Sequence, residues 1–181
     1  MLLECWSKVN RTKTLTFVAL MAALSSILSI EPFAIPIIIG PFSSEIHFSQ
    51  IPIFISGILA GPWAGLLTGA IGGLYMSIVR IPLIFGGLAI LGLAAGFFAK
   101  RLKLRPLFAV ILAWCVQAPY VFMTDYIWFV YFTPMPSSVA LTTIITILVK
   151  LTVESFIAAV LVAIIIPYIK RLGIFTIGQT N

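Results

Sequence analysis

Uncharged apolar runs, separated by short charged or Pro-containing breaks, set the pattern of this chain. Residues 14–30, 46–79, 81–99 and 106–124 contain no Asp, Glu, Lys or Arg. A last apolar region, from about 138 to 169, carries Lys150 and Glu154 inside it. One helical crossing of a bilayer takes about 20 residues. The run 46–79 is too long for one crossing and short for two. It divides at Gly61-Pro62, where Pro suits the first turn of a new helix. The pattern therefore predicts helices near 14–30, 48–60, 62–79, 83–100, 107–130 and 138–169, in a single domain spanning 1–181. The expected fold class is an all-α integral membrane protein, a compact bundle of six transmembrane helices.

Composition sharpens this. The chain is 61% hydrophobic and 9% charged, with a mean hydropathy of +1.19. Soluble domains are roughly half apolar and about a quarter charged. A soluble globule of this size has too thin a polar shell to cover so much apolar surface, which argues against a soluble enzyme, a disordered chain or a DNA-binding domain. The net charge of +6 does not point to nucleic acid, because the basic residues form no continuous groove-like run. They sit at the ends of apolar segments, as Lys and Arg do in membrane proteins. With the N-terminus in the cytoplasm, the inner segments hold Lys8, Arg11, Lys13, then Lys100, Arg101, Lys103, Arg105, then Lys170 and Arg171, leaving only Arg80 and Lys150 elsewhere. The positive-inside bias thus places both termini in the cytoplasm. No small-x-small cleavage site opens into a polar mature chain, so the first segment reads as a span and not as a cleaved signal. Cys5 and Cys115 are far apart and read as unpaired.

The charges left over carry the functional information. Beyond the inner basic residues and Glu4, the chain retains Glu31, Glu45, Arg80, Asp125, Lys150 and Glu154. Glu31, Glu45 and Arg80 fall at the outer ends of the first three segments. At 1.5 Å per residue, Asp125 lies about 29 Å out from Pro106, while Lys150 and Glu154 lie about 27 and 21 Å from Tyr168. All six belong to the outer half. Charges in hydrocarbon are costly and must face one another, water or a ligand, so an outward-open polar cavity is expected. Lys150 and Glu154 are one turn apart, on a stripe with Thr143, Thr146 and Ile147. They read either as an internal ion pair or as the lining of a pocket. Trp128 and Phe129, in the aromatic cluster closing the fifth segment, suit the membrane interface. Tyr126, beside Asp125, is a candidate ligand contact, and Trp114 and Gln117 lie deeper on the same segment. The candidate substrate-binding set is Glu45, His47, Arg80, Gln117, Asp125, Tyr126, Lys150 and Glu154.

Other chemistry is poorly supported. Glu45 and His47 make a poor metal-ligand set with no second His in the chain. No catalytic or nucleotide-binding motif is present, so neither a catalytic residue nor a bound cofactor is expected. Small residues recur at four-residue spacing: Ala19 and Ala23, with Ala22 beside them; Gly65, Gly69 and Gly73; Gly92 and Gly96. Such stripes let helices approach closely in a bilayer. The glycines read as packing within the chain, and the alanines of the first segment as either packing or a surface for a partner protein.

The stretch His47–Leu74, HFSQIPIFISGILAGPWAGLLTGAIGGL, resembles a pattern of the substrate-binding S components of energy-coupling factor (ECF) vitamin transporters, on Ile51, Pro52, Gly57, Gly61, Pro62, Trp63, Gly65, Gly69 and Gly72. Size and the predicted topology also fit that family, and Ala19-x-x-x-Ala23 is similar to its small-residue motif. The resemblance implies a prokaryotic plasma-membrane subunit that captures a water-soluble vitamin or precursor from outside. Its implied partners are a transmembrane T component, contacted through Ala19, Ala22 and Ala23, and two ATPase subunits that drive delivery inward. The chain departs from the family pattern at Gly73, where Asp is frequent. It also lacks the D-x-S-D-I-P and K-N of riboflavin-type members, reading His47-Phe48-Ser49-Gln50-Ile51-Pro52 instead. Lys150 and Glu154 are loosely similar to the basic and acidic pair of biotin-type members. The sequence thus leaves the vitamin open, and the excess of acids over bases in the outer set disfavours a purely anionic one. The residue 31–46 segment, rich in Pro, Gly and Ser, is expected to be an irregular lid. An autonomous secondary transporter or channel, and a membrane enzyme using Asp125, Glu154 or His47, are the competing readings.

Overall fold

A computed structural model of the chain describes residues 11–171 apart from 31, 32, 34, 40 and 41. Lys8, Glu4, Cys5, Glu31, Pro32, Gly40 and Pro41 lie outside the described residues. The elements run α1 (Arg11–Ile27), β1 (Ile35–Ile39), β2 (Phe42–Ile46), α2 (Gln50–Ala60), α3 (Pro62–Gly72), α4 (Leu74–Val79), α5 (Ile84–Lys100), α6 (Pro106–Ile127) and α7 (Ser137–Arg171), with a wider π turn, Trp128–Phe132, continuing α6. The apolar runs became helices because intrahelical hydrogen bonds satisfy the backbone without water. Three stretches, Pro62–Val79, Pro106–Phe132 and Ser137–Arg171, are long and apolar enough to cross a membrane, and three shorter apolar helices accompany them.

The break at Gly61-Pro62 falls where the sequence placed it. Gly61 has φ 105°, a left-handed conformation that disfavours a side chain. Pro62 opens α3, where its missing N–H costs nothing. The expected continuous third helix is interrupted at Gly73, which stays near helical geometry and donates its N–H to Gly69.

The all-α expectation misses one element. Within the segment expected to be an irregular lid, Ile35–Ile39 and Phe42–Ile46 pair as an antiparallel hairpin, with Ile35 opposite Ile46 and Pro36 opposite Glu45. Its first strand is Ile-Pro-Ile-Ile-Ile, and β-branched residues favour extended backbone. Pro36 is tolerated because a two-stranded ribbon leaves one side of each strand unpaired.

Backbone-to-backbone contact holds α2, α3 and α5 together. A Cβ on Gly65 would strike the Gly92 carbonyl, a Cβ on Gly92 the Gly65 carbonyl, and one on Gly69 the Leu88 carbonyl. The glycine stripes therefore pack within the chain. Ile53, Phe54, Leu91, Val110, Val162 and Ile166 fill the core between α2, α5, α6 and α7. On α1, the hydroxyls of Ser25 and Ser26 donate to the carbonyls of Ser49 (2.8 Å) and Gly72 (3.4 Å). Ala22 is buried there, whereas Ala19, Ala23, Leu15, Leu20 and Leu24 remain exposed.

Candidate functional site

A cavity of about 180 Å³ opens at one end of the bundle. It is built from the start of α2, the ends of α4 and α6, the start of α5 and the N-terminal half of α7. Lys100, Arg101, Lys103, Arg105, Lys170 and Arg171 occupy the opposite ends of α5, α6 and α7. Ile81, Ile84, Leu88, Val121, Ile147, Leu151 and Met76 supply apolar walls, and His47, Gln50, Arg80, Gln117, Tyr120, Thr124, Asp125, Lys150 and Glu154 supply polar groups. A mainly apolar hollow with a few convergent polar groups is the usual form of a small-molecule site.

Six of the eight expected substrate-binding residues line it: His47, Arg80, Gln117, Asp125, Lys150 and Glu154. Glu45 stands one contact behind, its Oε2 accepting from Arg80 Nη2 at 2.6 Å. This pair ties β2 to the end of α4. Tyr126 does not line the cavity and stacks on Phe122 with centroids 6.3 Å apart. Thr143 and Thr146, expected to extend the polar stripe, donate instead to carbonyls of their own helix, Val139 and Thr142.

Lys150 and Glu154 form the centre of the polar network. Lys150 Nζ lies 3.3 Å from Glu154 Oε1, and that oxygen also accepts the His47 backbone N–H at 2.7 Å. Glu154 therefore joins α7 to the chain entering α2, and the ion pair and the pocket lining are the same residues. Next along α7, Ser155 donates to Gln50 Oε1 at 3.0 Å. The His47 ring, in the connector before α2, lies 3.6 Å from Glu45 Oε2. Burial pushes its pKa down from 6.5 to about 4, with Lys150 and then Arg80 adding to the fall and Glu45 opposing it. At neutral pH this contact is therefore not an ion pair. Among the described residues, neither His47 ring nitrogen has a hydrogen-bond partner, and nor does Gln117 Oε1.

Sequence reasoning missed Gln50, Thr124 and, as a site residue, Tyr120. Tyr120 donates to the Leu83 carbonyl at 3.2 Å and rests against Gly86 and Gly87. Helical periodicity marks it: Gln117, Tyr120, Val121, Thr124 and Asp125 fall on one face, and Tyr126 is turned about 100° from Asp125.

The family described as the ECF-type riboflavin transporter, S component, matches residues 9–171 of the chain. The chain belongs to this family. This S component is a substrate-binding transport subunit of the prokaryotic plasma membrane, not an enzyme. Its family binds vitamins and works with a T component and two ATPases. Among solved structures it is similar to the S component for biotin of an ECF-type ABC transporter, at 20% identity and TM-score 0.61, covering 86% of this chain and 91% of that one. It is also similar to the S component of a bacterial ECF transporter, at 17% identity and TM-score 0.56, covering 91% and 97%. At these identities the likeness is one of fold. No curated protein matches the chain.

Proposed function

We propose that this S component captures a flavin, riboflavin or a close precursor, from outside the cell in the cavity between α2, α4, α5, α6 and α7. One observation carries the location: residues scattered from His47 to Glu154 converge on one apolar-walled hollow. The ligand class is supported by the riboflavin-type family and by charge. Lys150 is already engaged by Glu154 and Arg80 by Glu45. Neither is a free cation waiting for an anionic vitamin, and a neutral ring with polar edges suits these walls better.

Six helical segments cross the membrane in this reading, α3 and α4 together forming the third. Both termini and the basic ends of α5, α6 and α7 face the cytoplasm, and the cavity faces out. The exposed Ala19 and Ala23 meet the T component, while Ala22 packs inward against α3. The β-hairpin, tied by Glu45 to Arg80, covers the mouth.

Titrating detergent-purified protein into riboflavin tests the substrate. Flavin fluorescence should be quenched at one equivalent without ATP. Lys150→Ala and Glu154→Ala, each stranding a buried charge, should weaken binding at least about tenfold. Unchanged affinity in both variants would remove the α7 pair from the site. Absence of quenching by the native chain would remove the flavin.

A further inference from the structure

We propose that Asp125 sets ligand specificity: its carboxylate accepts a hydrogen bond from a ring N–H, so the cavity selects heterocycles carrying that donor. This rests on the flavin reading above and names the ring atom that the site reads.

Among the described residues the acids are Glu45, Asp125 and Glu154. Glu45 is held by Arg80, and Glu154 by Lys150 and the His47 N–H. Asp125 lines the cavity at 5% exposure, and neither an ion pair nor a hydrogen bond within the described residues satisfies it. A carboxylate at this depth is costly unless something donates to it.

Its neighbours on α6 make the same demand. Gln117, two turns earlier on the same face, is 3% exposed with Oε1 unpartnered. The Tyr120 hydroxyl spends its proton on Leu83 O and the Thr124 hydroxyl on Tyr120 O, so both offer the cavity only lone pairs. Apart from the Gln117 amide N–H, this wall is made of acceptors. Of the two cations lining the cavity, Lys150 pairs with Glu154 and Arg80 with Glu45. A ligand N–H reaching this wall would supply the donor that Asp125 lacks. A flavin has one such group on its pyrimidine edge, the N3–H between two carbonyls.

The test compares riboflavin with N3-methylriboflavin on the full-length native chain and on Asp125→Asn, which keeps the side chain's size, and Asp125→Ala, which makes room for the methyl. A site built to pair a donor rejects an analogue lacking it strongly. The native chain should bind the N-methyl analogue at least about tenfold more weakly than riboflavin. Both variants should bind riboflavin more weakly, and Asp125→Ala should bind the two flavins within about twofold of each other. Equal affinity of the native chain for both flavins would overturn the proposal and leave the flavin reading standing. So would full discrimination retained in both variants. No binding of riboflavin by the native chain would overturn the flavin reading and this proposal with it.

Discussion

His47 shows how one buried residue makes the cavity sensitive to acid. Its ring is held neutral by burial and by the nearby cations, with its pKa down at about 4 against 6.5 for a free histidine. Between those values the unfolded chain binds a proton that the folded one refuses, so stability falls as pH drops through that window and is complete above it. As pH falls from 7 to 5, the ligand-free His47→Gln variant in detergent should gain thermal stability relative to the native chain. Parallel pH profiles of the two melting midpoints would show that His47 adds no acid sensitivity. At this scale the sequence was informative about charge and weak on direction. Lys150 and Glu154 stood out because charges are rare in this chain, and they meet as their spacing requires. Adjacency to Asp125 points to Tyr126, although neighbouring residues on a helix point about 100° apart. The face running from Gln117 through Val121 to Asp125 carries the tyrosine that lines the cavity, Tyr120.

Among the elements, the apolar runs and Gly61-Pro62 were legible because a bilayer permits few ways to satisfy a backbone. The hairpin was not, since its Pro, Gly and Ser content reads as loop while its order comes from cross-strand pairing. The crossing of α3 over α5 rests on carbonyl contact at Gly65, Gly69 and Gly92. Spacing alone announced small-residue packing without naming the partner helix. Gly92→Val should force these helices apart and destabilise the fold by about 1–3 kcal/mol, the usual cost of overpacking. Gly61→Val meets no neighbouring atom but strains a left-handed backbone, at about 1–2 kcal/mol. Melting midpoints in one detergent would rank both, and a native-like midpoint for Gly92→Val would show that the crossing is looser than its geometry.

The whole molecule divides into a basic end and a cavity end, which is what a subunit needs if it collects a solute on one side and meets its ATPases on the other. The exposed strip of α1 belongs to this scale. Ala19 bears outward from the bundle, so Ala19→Trp leaves the cavity alone. Vesicle uptake with the T component and ATPases should fall at least about tenfold in that variant, with flavin affinity of the isolated subunit unchanged. Uptake at native levels would move the docking surface off α1.

Native mass spectrometry of the isolated subunit, given riboflavin without ATPases or ATP, tests capture most directly. The expected spectrum is the 19.7 kDa chain carrying one intact riboflavin. A bare chain beside free riboflavin, or a chemically altered flavin, would contradict capture by this subunit.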